Sequence, residues 1–102
     1  MISLCDGSGG IHGGIVGGIH LNWLNIDILW VKESLRGHGY GSRLLQSIHE
    51  FAIQNGATRA FLDTMEFQAV GFYLRHGYFE FGRIKNFANG FDRVYLQKDL
   101  AQ

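Results

Sequence analysis

The chain has 102 residues, nine basic and nine acidic side chains that leave no formal net charge, and a hydrophobic share of 46%. That is one domain with enough apolar material for a core; the even balance excludes the electrostatic footprint of a nucleic-acid or anionic-membrane partner and leaves a small molecule as the expected one. No apolar run approaches the roughly 20 residues of a membrane helix, the single Cys5 cannot close an internal disulfide, and no charged-then-apolar leader opens the sequence, so a reducing cytoplasm is the expected setting.

From Met1 to Asn22 the chain is dense in glycine, with pairs at Gly9-Gly10, Gly13-Gly14 and Gly17-Gly18. Ile2, Leu4, Ile11, Ile15, Val16, Ile19 and Leu21 interleave with them, which predicts a hairpin: a strand over Ile2 to Cys5, a turn over Asp6 to Gly10, and a second strand from Ile11 to Leu21. His12 and His20 have no neighbouring cysteine or acidic cluster, so no metal site is expected. Asn25 to Val31 reads as the central strand. Strict alternation puts Ile26, Ile28 and Trp30 on one face and Asn25, Asp27, Leu29 and Val31 on the other. Asp27 is unusual in such a run, and two readings stay open: a partly solvated strand position, or a carboxylate facing a substrate amine.

The strand then breaks into Arg36-Gly37-His38-Gly39-Tyr40-Gly41-Ser42 and restarts as a helix. Alternating glycines let the backbone bend tightly and aim bare N–H groups at one point, the helix adds the positive end of its dipole, and Arg36 adds a cationic fork. A pyrophosphate is the ligand such a loop suits. A P-loop would need Lys after its last glycine, where Ser42 stands. A dinucleotide fingerprint would need G-x-G-x-x-G directly after the strand, whereas Lys32 to Arg36 intervene and Ser42 takes the third glycine's place; Asp63, at the end of the next strand, keeps that alternative open.

The helix is expected over Gly39 to Gln54, with Leu44, Leu45, Ile48, Phe51 and Ala52 on its buried stripe, His49 near the stripe's edge, and Asn55-Gly56 as a left-handed stop. Ala60 to Thr64 reads as a short strand parallel to the central one through a right-handed crossover. After a turn at Met65-Glu66, a short helix over Phe67 to His76 turns Ala69, Val70, Phe72 and Tyr73 inward and stops at Gly77. Tyr78 to Asn86 and Asp92 to Lys98 complete the chain as a hairpin across Ala88-Asn89-Gly90. Phe79, Phe81, Phe87, Phe91 and Tyr95 load that hairpin and are expected in the core.

The loop fits the pattern Arg/Gln-x-x-Gly-x-Gly/Ala, and Phe72-Tyr73-Leu74-Arg75-His76-Gly77-Tyr78 fits F-Y-x-x-x-G-[FY] downstream of it. Between them, Leu62-Asp63-Thr64 and Phe67-Gln68-Ala69 fit L-D-T-x-x-F-Q-A, a pattern of one bacterial subgroup. On these motifs the chain resembles the GCN5-related N-acetyltransferase (GNAT) superfamily from about Ile11 to Leu100. The resemblance implies a single mixed α/β (α+β) domain over residues 1–102: a mostly antiparallel central sheet with one splayed parallel pair, and two helices, shortened at the N-terminus.

The resemblance further implies acetyl-coenzyme A as cosubstrate. Its pantetheine would enter the splay beside the backbone of Leu29 and Val31, its pyrophosphate would sit on Arg36, Gly37, His38, Gly39, Tyr40, Gly41 and Ser42, and Phe67 and Tyr73 would border it. The Leu29 N–H would polarise the thioester, Tyr73 would protonate the departing thiolate, and Asp27 would deprotonate a small-molecule amine or an exposed amino group, with Glu33, Glu66 and His20 as rival bases. Full members of the superfamily place a strand and helices ahead of the glycine-rich hairpin. Here Met1 stands almost at that hairpin, so three expectations remain: an open acceptor site, a site completed by a second subunit in a symmetric homodimer, or a coenzyme A-binding domain with weak or no turnover.

Overall fold

The computed structural model describes residues 2–5 and 10–100, and of the turn expected over Asp6 to Gly10 all but the last residue lies outside them. Six strands form one sheet: β1 (Ile2–Cys5), β2 (Ile11–His20), β3 (Trp23–Val31), β4 (Arg59–Met65), β5 (Phe79–Ala88) and β6 (Phe91–Asp99), in the order β1-β2-β3-β4-β6-β5. Only β3 and β4 run parallel; every other neighbouring pair is antiparallel. Helix α1 (Tyr40–Gln54) makes the crossover between them, and α2 (Val70–Arg75) follows β4. The mixed sheet with two helices is the architecture the motifs implied. Among the described residues no helix is long and apolar enough to cross a membrane.

The core lies between the sheet and α1. Leu44, Leu45, Ile48 and Ala52 recur at helical spacing and are buried against Ile15, Leu24, Ile26, Leu62, Val94 and Leu96. Phe51 departs from the expected stripe and is 54% exposed. Gly56, at φ 92°, stops α1: its N–H reaches Ile53 O and the N–H of Ala57 reaches Ala52 O, the paired bonds of a Schellman cap. α2 begins at Val70, three residues later than expected, and ends the same way. Gly77 (φ 88°) donates to Leu74 O and Tyr78 to Tyr73 O, which brings the Tyr73 and Tyr78 rings to 5.5 Å, edge to face. The F-Y-x-x-x-G-[FY] pattern is therefore the sequence of a helix stop.

Two expectations about faces are corrected. In β3, Val16 pairs with Ile28 but Gly17 with Ile26, so Asp27 is an extra residue, a β-bulge. The bulge reverses the alternation: Ile26 faces the core while Ile28 (57% exposed) and Trp30 (41%) face away from it. In the β5–β6 hairpin, Phe79, Phe81, Phe87 and Phe91 are exposed rather than core, because β5 is an edge strand with no layer over either side. The strands there run longer than expected and close on Asn89 (φ 52°) and Gly90 (φ 84°), a two-residue turn with both centres left-handed.

Candidate active site

β3 and β4 pair only from Trp23↔Arg59 to Ile26↔Leu62. Beyond that the bulge at Asp27 bends β3 away while β4 stays on β6 as far as Met65↔Arg93, and the strands part around a cleft of about 240 Å³. Asp27, Leu29, Asp63, Thr64, Gln68 and Tyr73 are among its walls. Gln68 holds the far lip: its Oε1 accepts from the Met65 N–H at 3.0 Å and pairs with Thr64 Oγ1 at 3.1 Å.

The orientation of the β3 backbone follows from one bond. Lys32 donates to His12 O at 2.7 Å, which makes the facing pair Val31↔Gly13 a non-hydrogen-bonded pair of the antiparallel ladder. Two residues back, Leu29↔Ile15 has the same character. The N–H and C=O of Leu29 and Val31 therefore point away from β2, toward the side where β4 has departed. Arg36 Nε meets the Val31 carbonyl at 3.1 Å, so the guanidinium leans back on the strand.

Val31 also begins a second cavity, of about 370 Å³, whose walls include Arg36, Gly37, Gly39, Tyr40, Gly41 and Ser42. Gly37 (φ 83°) and Gly39 (φ 81°) are both left-handed, the conformation that glycine adopts without strain. Gly39 caps α1 without a side-chain bond, and no acidic residue stands in the first turn, so the positive end of the helix is uncompensated. Ser42 Oγ and His76 Nε2 lie 2.8 Å apart, bracing that first turn on the end of α2. Arg75 and Phe72 of α2 and Leu35 complete the wall. The sequence reading missed Arg75; its signal was a cation inside the helix-stop motif, whose inward positions drew the attention.

The other named residues fall as follows. His38 packs obliquely on Tyr40 at 6.2 Å and lines neither cavity, and Phe67 is 59% exposed, edge to face with Phe91 at 4.8 Å. Asp27 Oδ1 accepts from Asn25 Nδ2 at 2.7 Å. Asp63 Oδ2 is held by Arg93 through Nε at 2.6 Å and Nη2 at 2.5 Å, so its charge is neutralised within the wall. Of the rival bases, Glu66 is tied to the Asp92 N–H and the Arg83 side of the hairpin, Glu33 stands on the short turn before the loop, and neither Glu33, Glu66 nor His20 lines the cleft. Burial pushes the Tyr73 phenol up to about 12. It pulls His49, which shares a hydrogen bond with the Tyr78 hydroxyl at 2.7 Å, down to about 4, with Lys98 and His76 adding to the effect.

A splayed parallel pair beside a bare helix N-terminus is the geometry implied by the motifs, and residues 4–80 match the family described as an acetyltransferase (GNAT) domain. The chain belongs to the GNAT acetyltransferase family. Blasticidin-S acetyltransferase of Streptomyces morookaense is 37% identical over 97 residues, covering 94% of this chain and 71% of that protein. The crystal structure of an acetyltransferase from Bacillus cereus superposes with a TM-score of 0.92 at 38% identity, covering 96% of this chain and 70% of that one. An aminoglycoside 6′-N-acetyltransferase complexed with coenzyme A shares the fold alone, with a TM-score of 0.85 at 17% identity over 98% of this chain and 72% of that one. This GNAT domain is thus an acetyltransferase.

Proposed function

We propose that this acetyltransferase moves acetyl from acetyl-coenzyme A to a primary amine of a small molecule, or to an exposed amino group, by direct attack. The single observation that carries the reading is the splay: Leu29 and Val31 direct backbone N–H and C=O groups into a cleft that continues toward a glycine loop flanked by two arginines. Pantetheine is an amide chain and would pair with those groups as an added strand, once Arg36 releases the Val31 carbonyl. The loop N–H groups, Arg36 and Arg75 would hold the phosphates. The relative named for blasticidin S supports a small-molecule acceptor.

Three tasks fall to residues of the cleft. The Leu29 N–H would donate to the thioester oxygen as negative charge develops there, a contribution typically of about 3 kcal/mol. Asp27, steadied by Asn25, would accept the proton of the attacking amine directly or through water. Tyr73 would face the departing sulfur. A phenol held at about 12 keeps its proton at any working pH, but passing it to a thiolate of ordinary pKa about 8.5 is uphill by roughly three units. Its contribution is therefore a hydrogen bond that stabilises the thiolate, with the proton arriving from solvent or from the amine's own pool.

We also infer that two copies associate as a symmetric homodimer through β1, which forms one edge of the sheet and presents an unpaired side of its ladder. Sedimentation at micromolar concentration returns a dimer on this reading, and a well-behaved monomer contradicts it. Transfer itself is tested by incubating the protein with acetyl-coenzyme A and a panel of amines, following thiol release and the mass of the product. Acetylated amine with stoichiometric free thiol supports the proposal. Tight coenzyme A binding with no product from any amine supports instead a cofactor-binding domain without turnover.

A further inference from the structure

The cleft has a neighbour on the sheet face that carries no helix. Leu24, Ile26, Ala60 and Leu62 are buried on the α1 side, so the residues between them, Trp23, Asn25 and Phe61, face the other way. Asn25 pairs with Phe61 and Phe61 with Gln97, one rung across three strands. Phe81 of β5 and His20 with Leu21 from the β2–β3 turn close a cup of about 370 Å³ around that rung. Trp23 and Phe61 stand edge to face at 5.7 Å and Phe81 is 51% exposed, so the cup is an aromatic floor with an amide rim. Asn25 belongs to both regions: it lines the cup, and its Nδ2 donates at 2.7 Å to Asp27, a wall of the cleft.

We propose that this cup is the subsite for the non-reacting part of the acceptor, and that it selects amines carrying a flat apolar ring a short linker away from the nitrogen. This inference rests on the acetyl-transfer reading. The cofactor cavity lies against α1 and α2 on the opposite face, which leaves the helix-free face as the acceptor's approach. Two strand residues separate Asn25 from Asp27, a span of about 6 to 7 Å, the reach of an ethyl linker between a ring and an amino group. A ring seated edge or face on Trp23, Phe61 and Phe81 would deliver its amine to Asp27 at the cleft mouth, where the aromatic π-faces also favour an ammonium over a neutral approach.

The test compares 2-phenylethylamine and tryptamine with n-butylamine by thiol release, using the full chain. The expected kcat/KM for the aryl amines exceeds that for butylamine by at least tenfold. Phe81→Ala and Trp23→Ala bring the ratio toward one by raising KM for the aryl amines, with the butylamine value unchanged. Phe81 sits on an exposed edge strand, so its variant remains folded even where the Trp23 variant does not. Equal kcat/KM for aryl and alkyl amines in the unaltered protein, or a ratio untouched by Phe81→Ala, overturns the subsite while leaving acetyl transfer standing. Phe81→Ala that dissociates a dimer with the ratio unchanged assigns the face to a second copy and also overturns it. No transfer to any amine contradicts the acetyl-transfer reading and the subsite with it.

Discussion

His49 of α1 and Tyr78 of the turn after α2 share a hydrogen bond at 2.7 Å, with their rings 5.7 Å apart, and this contact fastens the crossover helix to the helix that carries Tyr73. Tyr73 packs on Tyr78 in turn, so His49 acts as the outer support of the cleft wall.

His49 makes the protein acid-labile. Burial holds its folded pKa near 4 against an ordinary 6.5, with the nearby cations of Lys98 and His76 pressing the same way, and His76 is itself lowered. The folded state thus prefers the neutral ring. Its stability contribution is complete above pH 6.5 and is lost as pH falls toward about 4, by about 2 kcal/mol once solvent screening of a partly exposed ring is allowed for. Urea unfolding at pH 7.5 and pH 4.5 measures the loss, and His49→Gln, which keeps a partner for Tyr78 but cannot titrate, halves it.

The cofactor loop separates strain from contact. Gly39 is left-handed, so Gly39→Val strains the backbone by about 1 to 2 kcal/mol and abolishes coenzyme A binding. A Cβ at Gly41 would meet only the Phe72 ring at an ordinary 3.5 Å, so Gly41→Ala leaves stability nearly unchanged and weakens binding from the ligand's side alone. Arg36→Ala and Arg75→Ala each cost about 1.5 to 3 kcal/mol of affinity, the scale of a charge-assisted hydrogen bond. Calorimetry that finds wild-type affinity in both arginine variants contradicts the placement of the phosphates.

Tyr73→Phe preserves the packing against Phe72 and Tyr78 and removes only the hydroxyl. The expected result is an unchanged KM for acetyl-coenzyme A and a turnover lower by about a hundredfold. Turnover equal to that of the unaltered protein makes Tyr73 a packing residue.

Gly17 lies where the bulge is made. A Cβ there would stand 2.5 Å from the Asn25 carbonyl and 3.1 Å from Ile48, so Gly17→Ala pushes β2 off β3 at the point that sets the position of Asp27. A loss of about 1 to 3 kcal/mol in urea unfolding is expected, the range for overpacking, accompanied by a fall in turnover larger than that of an equally destabilised variant at Gly77. Matching turnover in the two variants separates the bulge from catalysis.

The parts of the fold legible in sequence were those where one residue type is demanded. Gly56 and Gly77 marked helix ends because their left-handed φ excludes most side chains, and the apolar stripe of α1 announced its buried face. The face of β3 was misread because period-2 alternation carries no mark of an inserted residue; Asp27 within an apolar run was the only trace of the bulge. The aromatic hairpin was misread because hydrophobicity reports the wish to be covered and not the presence of a cover. In the site, glycines and Arg36 stood out as a local pattern, whereas Arg75 and Asn25 reach it only through tertiary contact.

The most direct test of the account is the backbone amide spectrum of the protein titrated with acetyl-coenzyme A. On this account the Leu29 amide, directed into the splay, moves together with those of Gly39, Gly41 and Ser42, and the β5 amides stay in place. Saturable binding that leaves Leu29 and the loop unmoved while shifting other amides would contradict it.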